Sequence, residues 1–73
     1  MTKSDVVMTA LQHQSKAMQL WSSFNVSERV GCRFGMFPFG KMQAAEKEGY
    51  NGKVLVHELM HLANNPKTGD FGP

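Results

Sequence analysis

The stretch Lys53–Asn64, KVLVHELMHLAN, predicts a firm helix near the end of the chain. Its apolar side chains recur at steps of three and four residues, a spacing that places them on one face of a helix. We expect Leu55, Leu59 and Leu62 to form the buried stripe of this helix. The asparagines before Pro66 mark its end, because proline cannot continue a helix. The other elements are expected to pack against this stripe.

Two further helices are predicted upstream. Residues 4–22 form the first, with an expected inner stripe of Val7, Met8, Leu11, Ser15, Met18 and Trp21. Residues 41–48 form a shorter one, and Gly49 is its expected C-terminal stop. A turn over residues 50–52 then leads into the last helix.

The central segment, residues 23–40, is the least regular part of the sequence. Val30, Cys32, Phe34 and Met36 alternate with smaller or charged residues, a period-two pattern consistent with one short strand. Three glycines and Pro38 in the same region favour an ordered loop equally well. The predicted fold class is therefore mainly α: a small single domain of about three helices with an irregular Gly/Phe-rich central segment, which either contains a short strand or is an ordered loop.

Composition limits the class of protein further. The chain has 73 residues, is 41% hydrophobic and carries a formal net charge of +2. We expect residues 1–66 to form one compact domain and residues 67–73 a flexible C-terminal tail. Cys32 is the single cysteine, which favours a reducing compartment. The chain shows neither a signal peptide nor a membrane span, so a cytoplasmic location is expected.

One motif points to metal chemistry. The run His57-Glu58-Leu59-Met60-His61 resembles the signature helix of zinc peptidases. On a helix His57 and His61 face the same side, and Glu58 would act as the base on a zinc-bound water. A third ligand is required, but the position six residues after His61 is Lys67. We therefore expect no enzyme and no cofactor, and a zinc-binding protein on this motif is an alternative.

A second alternative is a small DNA-binding domain. Residues 42–55 have the spacing of a helix-turn-helix, with Ala45 allowing close helix approach and Gly49 taking the turn. The second helix offers Lys53 but few of the side chains that read base edges. Nucleic-acid contact is therefore expected to be secondary.

Cations and aromatic residues interleave in the central segment, and this mixture favours a protein-binding surface. Arg29, Arg33, Phe37 and Phe39 are the predicted partner-binding residues, with Trp21 as a weaker candidate. For any single phenylalanine, the alternative to partner binding is burial in the core. A chain this short can hardly bury every one of its large aromatic side chains.

Length, composition and the chain as a whole from Met1 to Pro73 resemble the small lytic-bacteriophage regulators that bind host RNA polymerase, a class that includes a transcription regulator of a Xanthomonas phage. The resemblance implies binding to the largest polymerase subunit in the host cytoplasm. It also implies inhibition of transcription initiation through loss of the sigma factor, and antitermination during elongation. No motif is shared, so no residue role is transferred.

Overall fold

The computed structural model describes the backbone of residues 3–65 and the side chains of residues 9–65. It contains four helices: α1 (Lys3–Ser23), α2 (Val26–Arg33), α3 (Phe39–Lys47) and α4 (Gly52–Asn64). Residues 3–65 contain no strand. The mainly helical fold class is confirmed, with four helices in place of about three. The predicted tail, residues 67–73, lies outside the described residues.

Helix α4 is the centre of the fold. Leu55 and Leu59 are completely buried and Leu62 is nearly so, which confirms the predicted stripe. Each of the other three helices packs against α4. Asn51 caps the helix, because its side-chain oxygen accepts hydrogen bonds from the backbone N–H groups of Lys53 and Val54.

The inner face of α1 differs from the prediction. Leu11 and Met18, both expected inside, are about half exposed at 51% and 52%. The buried residues are instead His13, Ala17 and Leu20, which lie nearly on the opposite side of the helix. A prediction that counts only large apolar side chains leaves out alanine and histidine, and it therefore assigned the wrong inner face to α1.

A hydrogen-bonded histidine explains this orientation of α1. The His13 Nδ1–H group donates to the Thr9 carbonyl at 2.9 Å, and Nε2 accepts from the backbone N–H of Asn51 at 2.8 Å. Both ring nitrogens are therefore satisfied, as burial of a polar group requires. The small side chain of Ala17 is fully buried one turn later. Together they fix which side of α1 faces the N-terminus of α4.

The strand and loop interpretations of the central segment are both wrong for residues 26–33, which form α2. The Asn25 side chain accepts from the backbone N–H of Glu28 at 2.8 Å, and the Glu28 carboxylate accepts from the backbone N–H of Asn25 at 2.9 Å. This reciprocal pair is a capping box, which stabilises the first turn of a helix. The alternation of Val30, Cys32 and Phe34 is thus incidental to the backbone conformation.

Helices α2 and α3 end in the same way. Gly35 and Gly49 adopt positive φ angles of 80° and 103°, a conformation that costs glycine little. In each case the residue after the glycine donates a backbone hydrogen bond into the last turn: Met36 to Gly31 at 2.9 Å, and Tyr50 to Ala45 at 3.2 Å. This is the Schellman motif, and it confirms Gly49 as the stop of α3.

The core is small and is drawn from every helix. Its buried apolar residues besides the α4 leucines are Ala17, Leu20, Phe24, Cys32, Met42, Ala45 and Ala63. Burial raises the pKa of the Cys32 thiol, and the negative charge of Glu28 adds to the effect. The thiol is therefore protonated and packs as a small apolar side chain.

We expect Leu59→Ala to lower the free energy of unfolding by about 2–5 kcal/mol, because it removes a fully buried side chain and leaves a cavity. The total free energy of unfolding of a domain of this size is roughly 3–5 kcal/mol, so much of the Leu59→Ala variant should be unfolded. Urea denaturation followed by circular dichroism measures the loss. Leu11→Ala, on an exposed side chain, is the control and should change stability by less than about 0.5 kcal/mol. Equal stability of the two variants would contradict the central place of α4.

Candidate protein-binding surface

Four large apolar side chains are exposed within ten consecutive residues. Val30 is 46% exposed, Phe34 75%, Met36 67% and Phe39 73%. We call these four residues the exposed apolar segment. Single exposed apolar residues are ordinary, but such a concentration in a small domain is typical of a site that contacts another molecule.

The backbone of this segment is ordered although its side chains are exposed. The N–H groups of Phe34 and Met36 both donate to the Gly31 carbonyl at 2.9 Å, and that of Gly35 donates to the Cys32 carbonyl at 3.1 Å. A Cβ atom at Gly31 would lie 3.0 Å from the Met36 carbonyl oxygen. The turn after α2 therefore folds back against the helix at this glycine. The side chains of Phe34 and Met36 are thus held on a fixed turn without being buried.

Lys41 joins three helices beside the segment. Its ammonium donates to Glu28 Oε1 at 2.9 Å and to the Ser23 carbonyl at 3.0 Å, and it lies 5.4 Å from the centre of the Phe24 ring. The hydrogen bond from Lys41 and then that from the Asn25 backbone lower the pKa of Glu28. Lys41 on α3 therefore connects the end of α1 to the start of α2.

Trp21 and Arg29, two of the predicted partner-binding residues, contact each other. The Arg29 Nε–H group donates to the Trp21 carbonyl at 3.1 Å, and the guanidinium lies 5.5 Å from the centre of the indole ring. Trp21 also meets Phe24 edge-on, with ring centres 6.2 Å apart. Both side chains are half-buried. Their observed contacts fasten α2 to α1.

The other predicted residues divide between surface and core. Arg33, in the last turn of α2, and Phe39, at the start of α3, are exposed. Phe37 is half-buried and packs against the core. Sequence reasoning did not single out Phe34 and Met36 as partner-binding residues. The surplus of aromatic residues in this segment is a signal that could have identified Phe34, whereas no local signal marks Met36.

An open groove adjoins the exposed apolar segment. It has a volume of about 880 Å³ and is shared between the α2–α3 connection, α3 and α4. Phe37, Phe39, Met42 and Val56 contribute apolar walls. Phe39 belongs to both the groove and the segment, so the two features meet at this side chain.

The histidine motif lies elsewhere, on α4. The Nε2 atoms of His57 and His61 are 3.2 Å apart, and the ring centres are 4.7 Å apart at an interplanar angle of 78°. His57 is exposed, whereas Glu58 and His61 are half-buried. Among the side chains the structure describes, no three of the types His, Cys, Asp and Glu are grouped closely enough to hold a metal ion. The three-ligand centre of a zinc peptidase is not assembled in this part of the chain.

The helix pair α3–α4 provides few side chains for reading DNA. The recognition helix of a helix-turn-helix contacts base edges with residues near its N-terminus. Helix α4 packs against α1, α2 and α3, so only its outer face is available for such contacts. Its exposed residues include Lys53, Val54 and His57, a sparse set for contact with base edges.

No family model, curated protein or solved structure matches this chain. Within residues 3–65, no helix has both the length and the apolar character that crossing a bilayer demands.

We expect Glu28→Gln to lower stability at neutral pH and to have little effect in strong acid. The pKa of Glu28 is lower in the folded chain, so its ionisation stabilises the fold above the pKa of the unfolded chain. That contribution is lost as the pH falls through the folded pKa. Urea denaturation of both proteins at neutral pH and at about pH 2 measures the effect.

Combining Glu28→Gln with Lys41→Gln tests whether the contact between these two side chains is responsible for the loss of stability. Because Lys41 is the main cause of the lowered pKa, Glu28→Gln should cost less stability when Lys41 is already replaced. An equal cost in both backgrounds, or a cost that does not change with pH, would show that the Glu28–Lys41 contact does not stabilise the fold.

Proposed function

We propose that this chain is a small regulatory protein that binds host RNA polymerase and acts by protein–protein contact. The observation that carries the proposal is the exposed apolar segment, with Arg33 beside it, on an ordered turn. The choice of RNA polymerase as the partner rests on the resemblance of the whole chain to the polymerase-binding regulators of lytic phages.

The chemistry of the segment favours a protein as the partner. Phe34, Met36 and Phe39 each expose at least two thirds of their surface. Fully burying one such side chain contributes about 1.5–3 kcal/mol. Aromatic and arginine side chains also dominate the residues on which protein interfaces depend most. A partner that offers pockets for two rings and an acceptor for Arg33 would use all of these features.

The charge next to the segment indicates what that partner surface offers. Arg33 is exposed, and Arg29 lies one turn away on α2. The carboxylate of Glu28, the acidic residue of α2, is engaged by Lys41. The exposed charge at the C-terminal end of α2 is therefore the positive charge of Arg33. Electrostatic complementarity favours an acidic border around an apolar patch on the partner.

A rigid domain of this size can regulate a large enzyme by binding one of its conformations better than another. A ligand shifts an equilibrium only through such a difference in affinity. On the resemblance, the contacted element belongs to the largest subunit. The resulting effects are inhibition of transcription initiation, with loss of the sigma factor, and antitermination during elongation.

The test compares two double variants of the purified chain in binding to purified Xanthomonas RNA polymerase. Phe34→Ala/Phe39→Ala removes two exposed rings from the proposed surface. We expect at least about a 30-fold weaker Kd, the equivalent of one interface hot spot. Inhibition of promoter-dependent transcription in vitro should be lost in parallel.

Leu11→Ala/Met18→Ala is the control, because it removes two apolar side chains from α1 that are about half exposed. It should bind and inhibit like the natural chain, and circular dichroism should show that both variants are folded. If the polymerase binds the Phe34/Phe39 variant as tightly as the natural chain, this surface is not the interface. If it does not bind the natural chain at all, the partner is wrong.

A further inference from the structure

We propose that His57 and His61 form a two-ligand binding site for a divalent transition-metal ion on α4. The site uses none of the residues of the exposed apolar segment, so it is independent of polymerase binding. The observation behind it is the close approach of the two Nε2 atoms, 3.2 Å apart on one face of the helix.

This separation fits a single ion bound by both imidazoles. Zinc binds histidine nitrogen at about 2.0–2.1 Å in tetrahedral geometry, which sets two ligand nitrogens about 3.3–3.4 Å apart. The observed 3.2 Å is within a few tenths of an ångström of that value. An ion can therefore be held by both nitrogens with only a small adjustment of the side chains.

The two ligands stand on a rigid support and are accessible. They are one turn apart on α4, and between them Leu59 is completely buried against the rest of the core. His57 is exposed and His61 is half-exposed, so an ion can reach the site from solvent. A site on a packed helix requires little ordering when its ligand binds.

The ligand chemistry selects the kind of ion. Neutral imidazole suits zinc, copper and nickel, whereas magnesium and calcium prefer oxygen ligands. Among residues 9–65 no third His, Cys, Asp or Glu side chain completes the group. Water, or a ligand from another molecule, fills the remaining coordination positions. The site thus suits metal-dependent attachment of the chain to another molecule, and it differs from a three-ligand catalytic centre.

Calorimetric titration of the untagged chain with Zn²⁺ tests the site, with Mg²⁺ as the negative control. A polyhistidine tag must be absent, because it binds the same ions. We expect one Zn²⁺ per chain, or one per two chains if two histidine pairs share an ion. Binding should be lost in His57→Gln and in His61→Gln, and it should be retained in Lys53→Gln, an exposed replacement on the same helix.

Thermal unfolding gives a second readout. With Zn²⁺ about tenfold above its Kd, the Tm of the natural chain should rise by at least about 4 °C, because the ion favours the folded state. The histidine variants should be folded and should show no rise. Absence of Zn²⁺ binding by the natural chain, or binding retained by both histidine variants, would overturn the proposal. In that case the 3.2 Å contact is a hydrogen bond between two imidazoles of opposite tautomer.

Discussion

The packing of three helices against the leucine stripe of α4 is the interaction on which this structure depends. Leu55 and Leu59 are completely buried, and α1, α2 and α3 each contact α4. Helices α2 and α3 have only 8 and 9 residues, too few to be stable alone in water. The capping box defines where α2 begins and the Schellman motifs define where both helices end, but packing against α4 is what makes them persist. The exposed turn between them therefore exists only because α4 supplies a core.

Polar contacts then decide how the helices are oriented. His13 ties α1 to the start of α4, and Lys41 ties α3 to the junction of α1 and α2. Each contact uses a side chain whose polar atoms are satisfied by backbone groups or by an opposite charge. Such contacts are directional in a way that apolar packing is not. Lys41 holds α3 beside α2, and the backbone hydrogen bonds from Phe34 and Met36 to Gly31 order the connection between these two helices, so its exposed side chains stand on a fixed framework.

Local rules predicted the elements that have strong periodicity or a clear stop. The stripe of α4, the helical character of residues 4–22 and the end of α3 at Gly49 all follow from side-chain spacing and glycine conformation. The inner face of α1 did not follow, because a histidine and an alanine occupy it while Leu11 faces outwards. Helix α2 was missed although its capping box, Asn25 with Glu28, is readable in the sequence.

The candidate surface was predicted only in part, because the exposure of a side chain, like the inner face of α1, depends on how the helices pack. Sequence pointed to cations and aromatic residues near α2, and Arg33 and Phe39 are indeed exposed. It could not separate these from Trp21 and Arg29, which contact each other across α1 and α2. Which aromatic residues a small core excludes depends on how four helices meet, and no local pattern encodes that. The exposure of Phe34 and Met36 is such a consequence.

Native-state hydrogen exchange measured by NMR tests the primacy of α4 most directly, because it gives a free energy of opening for each amide. The amides of Leu59 and Leu62 should exchange last, at the free energy of global unfolding. Those of Phe34 and Met36, in the exposed turn, should exchange at a lower free energy. If the α4 amides opened more easily than those of α2, the fold would not be organised around the leucine stripe.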